Sequence, residues 1–227
     1  MEKIKNFFGT TKGKVVGIFV VLIIIGGIAS SDDKKSPSSE SPKSTASTVA
    51  PVDPAKLEAD KARLAEIKTK FTYKYDEFEQ KGWYTAKTQD PGTTFNSQVL
   101  QLMVNNKGYT YLVDRYYGSD WLFHTRTEVK IGEALYKTDD IPSYDDNNSS
   151  WNSGGSVWES ISYTADRDNG IIKAIAESGD TPVKVRFAGG SAGVKDFTLT
   201  KRDQQAIKDA YELSNLIKET GDTGTTK

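Results

Sequence analysis

Gly189-Gly190-Ser191-Ala192-Gly193 has the spacing G-x-S-x-G, which in hydrolases sets a serine nucleophile on a strained strand-to-helix turn. That turn needs a helix after the serine and a histidine later in the chain. Here the sequence after Gly193 reads as a second strand, and the single histidine, His124, comes earlier. A glycine-rich hairpin loop accounts for the same letters. His124 alone cannot build a multi-histidine zinc site, and without cysteine the remaining common ligands are carboxylates. It ends an apolar stretch, so the expectation is a partly buried histidine satisfied by a backbone group.

Two acidic loops invite a calcium reading, because hard cations take clustered oxygens. Asp145, Asn147 and Ser149 alternate, but Ser150 stands where the EF-hand turn needs glycine and Ser156 where it needs glutamate. Asp166, Asp168 and Gly170 alternate with Glu177 at the twelfth place, yet Gly170 is one place early and Ile171 fills the turn. Solvated turn and cap residues explain both loops. No catalytic residue, metal ligand or cofactor-binding residue is assigned. Trp83, Trp121 and Trp158 lie in strand contexts and are expected in the core. Trp151 lies in a polar loop and is the candidate interaction residue, able to stack on a sugar ring or a protein partner. The alternative is a loop aromatic folded back on the sheet.

The elements that position these residues follow from pattern. Asp53 and Pro54 open a helix whose Leu57, Leu64 and Ile67 recur at helical spacing to about residue 70. Its apolar stripe either packs on the following domain or joins a partner helix. Residues 71–75 also alternate with period two and suit a strand. Strands follow at about 95–104, 109–117 and 121–131, with turns at 105–108 and 118–120. These adjacent hairpins are expected to form the centre of one antiparallel sheet. Residues 135–137 add a short strand, 139–156 read as a polar loop, and 158–163 as a strand. Asp168 and its neighbours cap a short helix at 171–178, and 183–187 with 194–199 form a hairpin. Thr200 to Asp203 is a capping-box variant that starts the last helix.

Residues 15–29 hold no charged or strongly polar side chain, and the uncharged window extends to 31. As a helix it spans about 25 Å, at the short end for a bilayer core. A signal-anchor that stays and a cleaved secretory signal both fit; the long basic segment before it favours the anchor. Lys3, Lys5, Lys12 and Lys14 place the N-terminus in the cytoplasm by the positive-inside rule. The expected organisation is a cytoplasmic N-terminus at 1–14, a transmembrane anchor at 15–31, and a disordered Ser/Pro linker at 32–53. An extracytoplasmic α+β domain follows at 54–220, mainly antiparallel sheet flanked by an N-terminal and a C-terminal helix, then a disordered tail at 221–227. If the signal is cleaved, the domain is secreted instead.

Composition removes several classes. The formal net charge of −1 gives no electrostatic footprint for nucleic acid. With no cysteine there are no disulfides, no thiolate nucleophile and no lipid-modified cysteine anchor. Tyr75-Asp76-Glu77-Phe78 with Trp83-Tyr84, Asp120-Trp121-Leu122-Phe123, Val185-Arg186-Phe187-Ala188-Gly189 and Lys195-Asp196-Phe197-Thr198-Leu199-Thr200 resemble a domain that recurs in uncharacterised bacterial proteins. In those it often follows a membrane or lipoprotein N-terminus and a low-complexity linker. The resemblance covers about residues 70–216. It implies a bacterial envelope protein and brings no activity and no catalytic residues.

The reading is a non-enzymatic envelope binding module without cofactor, its partners the membrane and an envelope protein or glycan. The alternatives are an exported carboxylate-dependent hydrolase and a structural subunit joined to a membrane complex by the Pro54 helix. A pocket gathering carboxylates with raised pKa marks the hydrolase, and an exposed aromatic patch marks the binding module.

Overall fold

The computed structural model describes residues 53–164 and 166–223. The anchor at 15–31, all but the last residue of the linker at 32–53, and the final residues 224–227 lie outside the described residues. Among the described residues, no helix is long and apolar enough to cross a membrane.

The domain is α+β. Helix α1 (Pro54–Lys68) starts where Asp53 accepts from Ala55 N, with proline in the first turn. It buries Leu64 and Ile67 and lies along the C-terminal helix α4 (Lys201–Thr220). Arg63 closes a side-on ion pair with Glu212 at 2.6 and 2.9 Å. The stripe of α1 therefore packs on its own domain. Thr200 caps α4 by accepting from Asp203 N, and Gly221 ends it in the left-handed conformation at φ 68°.

Between the two helices run β1 (Phe71–Asp76), β2 (Lys81–Ala86), the short helix α2 (Pro91–Thr94), β3 (Val99–Asn105) and β4 (Thr110–Gly118). They are followed by β5 (Arg126–Ile131), β6 (Ala134–Lys137), β7 (Asn148–Ser153), β8 (Ser156–Thr164), α3 (Ile171–Ala176), β9 (Val183–Ala188) and β10 (Lys195–Thr198). The strands form two antiparallel sheets, ordered β1-β2-β3-β4-β8-β7 and β10-β9-β5-β6.

This differs from the single meander expected. β3 and β4 do pair, but β4 then pairs with β8, with Leu112 opposite Tyr163 and Asp114 opposite Ile161. The chain leaves the first sheet after Gly118, runs irregularly through 121–125, and enters the second sheet as β5. The second correction is at 139–156. It is not all loop, because Asn148–Ser153 forms the edge strand β7, with Trp151 opposite Trp158. Polar side chains on a sheet edge are usual and hide a strand from hydrophobic periodicity.

Both sheets turn one face to a single core. Leu100, Leu102, Val104, Leu112, Ile161 and Tyr163 come from the first sheet, and Val129, Val183, Val185 and Phe187 from the second. Ile207, Ala210, Leu213 and Ile217 of α4 close it. The outer face of the first sheet points away from this core.

Candidate functional site

The residues with the most chemical capacity meet at the junction of the two sheets. Asp114 lies on the core side of β4, and Glu159 and Tyr163 on the core side of β8. His124 lies in the irregular crossing and Thr127 on β5. His124 Nε2 is 3.0 Å from Asp114 Oδ1, and Nδ1 is 3.0 Å from Glu159 Oε2. Phe187 stacks on the imidazole with ring centres 5.0 Å apart.

Each carboxylate is saturated. Asp114 also accepts from Ile161 N, Thr127 Oγ1 and Tyr163 OH at 2.8, 2.6 and 3.1 Å. Glu159 also accepts the backbone N–H groups of Leu122, Phe123 and His124 at 2.6–3.1 Å. These three groups have no ladder partner, so Glu159 supplies what the missing strand pairing would have supplied.

A carboxylate at each ring nitrogen requires a proton on both, which is the imidazolium. Burial, the largest single effect, pushes the imidazole pKa down; Asp114 and Glu159 together outweigh it and hold it at about 9. Burial pushes Glu159 up, but His124 and the backbone donors leave it below the usual carboxylate range. The histidine is thus satisfied by two charged groups and not by a backbone group, and it is 1% exposed. The arrangement offers no face to a substrate. It locks the crossing between the sheets.

Ser191 is not brought to this histidine as a nucleophile, since both ring nitrogens are already engaged. Its loop has a geometric reason for its glycines. Gly189 sits at φ 96°, and a Cβ on Gly190 would come within 2.2 Å of Phe123 O and 2.4 Å of Leu122 O. The loop packs its backbone on the crossing. Ser191 itself is exposed. Ser191→Ala is expected to leave thermal stability within about 0.5 kcal/mol of the parent and partner binding unchanged. A melting curve and a binding titration on the variant check both.

The acidic loops are turn and cap residues. Asp145 accepts from Asn147 N at 2.9 Å and Nδ2 at 2.8 Å, and meets Arg167 at 3.3 Å. Asp168 accepts from Ile172 N at 2.9 Å and so satisfies a donor in the first turn of α3, whose cap position is Gly170. Among the described residues, no group of three or more His, Asp or Glu is placed to hold a metal ion.

The outer face of the second sheet carries a shallow concavity of about 380 Å³ lined by Glu128, Lys130, Leu135, Lys184, Arg186 and Asp196. Its two carboxylates are paired, Glu128 with Arg126 and Lys137 at 3.0 and 3.3 Å, and Asp196 with Arg186 at 2.7 Å. Burial lifts the Glu128 pKa, but its two cations hold it lower than usual overall. Arg186 holds Asp196 low as well. Neither is poised as a general acid near neutral pH.

The outer face of the six-stranded sheet is different. By strand alternation it presents Trp151 from β7, Trp158 and Ser160 from β8, and Arg115 and Tyr117 from β4. Trp151 stacks parallel on Trp158 with centres 5.8 Å apart and planes 3° apart. Tyr117 and Phe95 also touch Trp158, at 5.4 and 4.9 Å. Trp158 is buried under this group and donates from Nε1 to Phe95 O at 2.9 Å, while Trp151 and Tyr117 remain half-buried. Farther along the same face Trp83 meets Tyr111 edge-on at 4.8 Å, both half-buried. Trp151 therefore is a member of a sheet-borne aromatic row, folded back on the strand beside it. Trp158 is buried as expected, but beneath the outer aromatic row and not in the core between the sheets. Trp83 lies on this outer face, and Trp121 lies in the crossing, half-buried and stacked on Phe123 at 5.6 Å.

Asp114 and Glu159 were not singled out from sequence, although a signal was present. Each occupies a core-facing place between apolar residues of alternating strands, Leu112-x-Asp114 and Glu159-x-Ile161-x-Tyr163. A charge at such a place needs a buried partner. Comparison of the chain with family models, with curated proteins and with solved structures finds no match.

Proposed function

We propose that this chain is a non-enzymatic binding module of the bacterial cell envelope, held at the membrane by residues 15–31, with the aromatic face of its six-stranded sheet as the binding surface. The observation that carries this reading is the row of Trp151, Trp158, Tyr117 and Phe95 on an outer sheet face. The half-buried rings of Trp151 and Tyr117 carry polar edges, and such rings stack on pyranose rings at little entropic penalty. Two further observations support it. The His124 cluster is sealed, and the paired carboxylates of the second sheet are held ionised. The uncharged run at 15–31 and the Ser/Pro linker after it support the tethered, extracytoplasmic placement.

The test is a tryptophan-fluorescence titration of the full chain in nonionic detergent with peptide-free cell-wall glycan strands. A saturable change in emission is expected. Trp151→Ala is expected to weaken binding about tenfold or more, the scale of a central aromatic contact. Trp151→Phe, which keeps a ring on Trp158, is expected to recover most of it. Undiminished binding by Trp151→Ala would remove this face from the reading.

A further inference from the structure

Arg115 lies on this same outer face, opposite Ser160 and two residues from Tyr117, whose partner is Trp158. Its Nη2 donates to Thr94 O at 2.6 Å and to Thr94 Oγ1 at 2.9 Å. Its Nε is buried and has no hydrogen-bond partner among the described residues. Among the described residues no carboxylate lies within ion-pair distance of the guanidinium, whereas Arg63, Arg126, Arg167 and Arg186 each meet one. Glu159 and Asp114, the nearest acidic residues along these strands, point to the opposite side of the sheet.

A guanidinium withdrawn from water without a counter-charge is unfavourable, and so is an unsatisfied buried donor. Burial accordingly pulls the Arg115 pKa below its usual value. Anchoring α2 through Thr94 does not require a charge, because a neutral amide donates as well to a carbonyl and a hydroxyl. What a neutral residue cannot do is hold an anion beside the aromatic rings. With Nη2 spent on Thr94 and Nε buried, Nη1 is the part of the guanidinium left to meet a carboxylate.

We infer that Arg115 is the anion-recognition residue of the aromatic face and that the ligand is a glycan bearing carboxylate groups. This rests on the binding reading given above. The sugar ring stacks in the Trp151–Tyr117 region while its carboxylate supplies the charge that Arg115 lacks. The half-buried setting of Arg115 strengthens the pairing, since screening by water and salt is weaker there.

The probe is the same cell-wall glycan strand in two forms, with its lactyl carboxylates free and with them methyl-esterified. The backbone is identical and only the charge differs. The full chain in nonionic detergent is expected to bind the free form at least tenfold more tightly. Arg115→Met, similar in length and neutral, is expected to bind both forms at the level of the ester. Arg115→Met also gives up the two bonds to Thr94, so its melting temperature is compared only with and without glycan. The free form is expected to raise the melting temperature of the parent and not of Arg115→Met. Equal binding of the two forms, with both lost in Trp151→Ala, would overturn the role of Arg115 and leave the aromatic reading standing. Absence of binding by either form would overturn both. If Arg115→Met is too unstable to measure, Arg115→Gln keeps a neutral donor for Thr94 and removes the charge. Retention of the full preference for the free form in Arg115→Gln would overturn the role of Arg115.

Discussion

His124→Gln is expected to destabilise the domain by about 3–5 kcal/mol, the largest effect of any single polar substitution in it. The imidazolium stands between Asp114 and Glu159 at 3.0 Å from each, with essentially no exposure. Removing it leaves two carboxylates in the core with their shared cation gone. Glutamine retains one donor group but cannot reach two acceptors on opposite sides of a planar ring. The crossing segment then loses its anchor, and β5 its fixed position beside β4.

The same cluster sets a pH response. The histidine pKa is about 9 in the folded state, above the unfolded value of 6.5. Its contribution to stability is therefore full below about pH 6.5, falls as pH rises, and is lost above about pH 9. Glu159 is lowered on folding. Its contribution is present above its unfolded pKa of 4.5 and lost as pH falls through the lower folded value. Thermal unfolding measured from pH 5 to 10 is expected to show a decline between about 6.5 and 9 that is absent in His124→Gln. An unchanged decline in the variant would place its cause elsewhere.

Gly190→Ala is expected to cost about 3 kcal/mol, close to the limit for overpacking by one methyl. The added Cβ would meet the carbonyl oxygens of Phe123 and Leu122 at 2.2 and 2.4 Å. These are backbone atoms of the crossing, already held by Glu159, and Phe123 is at φ 53°. Neither side can move without breaking those bonds. Ser191→Ala one residue later is expected to have almost no effect, so the pair separates a packing role for the loop from a nucleophilic one. Chemical denaturation of the two variants gives the comparison.

Local signals in the sequence were sufficient for most elements. Asp53, Asp168 and Thr200 mark helix starts, and each one accepts a backbone N–H as its type implies. The β9–β10 hairpin follows from apolar alternation on either side of a glycine-rich loop. The division into two sheets was not legible, because it depends on Glu159 reaching back 37 residues to Leu122 N. Nothing near residues 121–125 announces a partner that distant. β7 was hidden because Asn148–Ser153 is polar on both faces except at Trp151. Trp151 was found as a loop aromatic, but its stacking partner depends on the register of β7 on β8. The position of Arg115 beside this row is equally a matter of pairing, so its missing counter-charge appears only once β4 and β8 are aligned.

Hydrogen–deuterium exchange of the full chain in nonionic detergent, with and without peptide-free cell-wall glycan strands, tests the binding face most directly. Protection is expected in β4 (Thr110–Gly118), β7 (Asn148–Ser153), β8 (Ser156–Thr164) and residues 91–98, which surround Trp151, Trp158 and Arg115. Protection instead along the second sheet around Lys130, Lys184 and Arg186, or on the exposed sides of α1 and α4, would contradict the account.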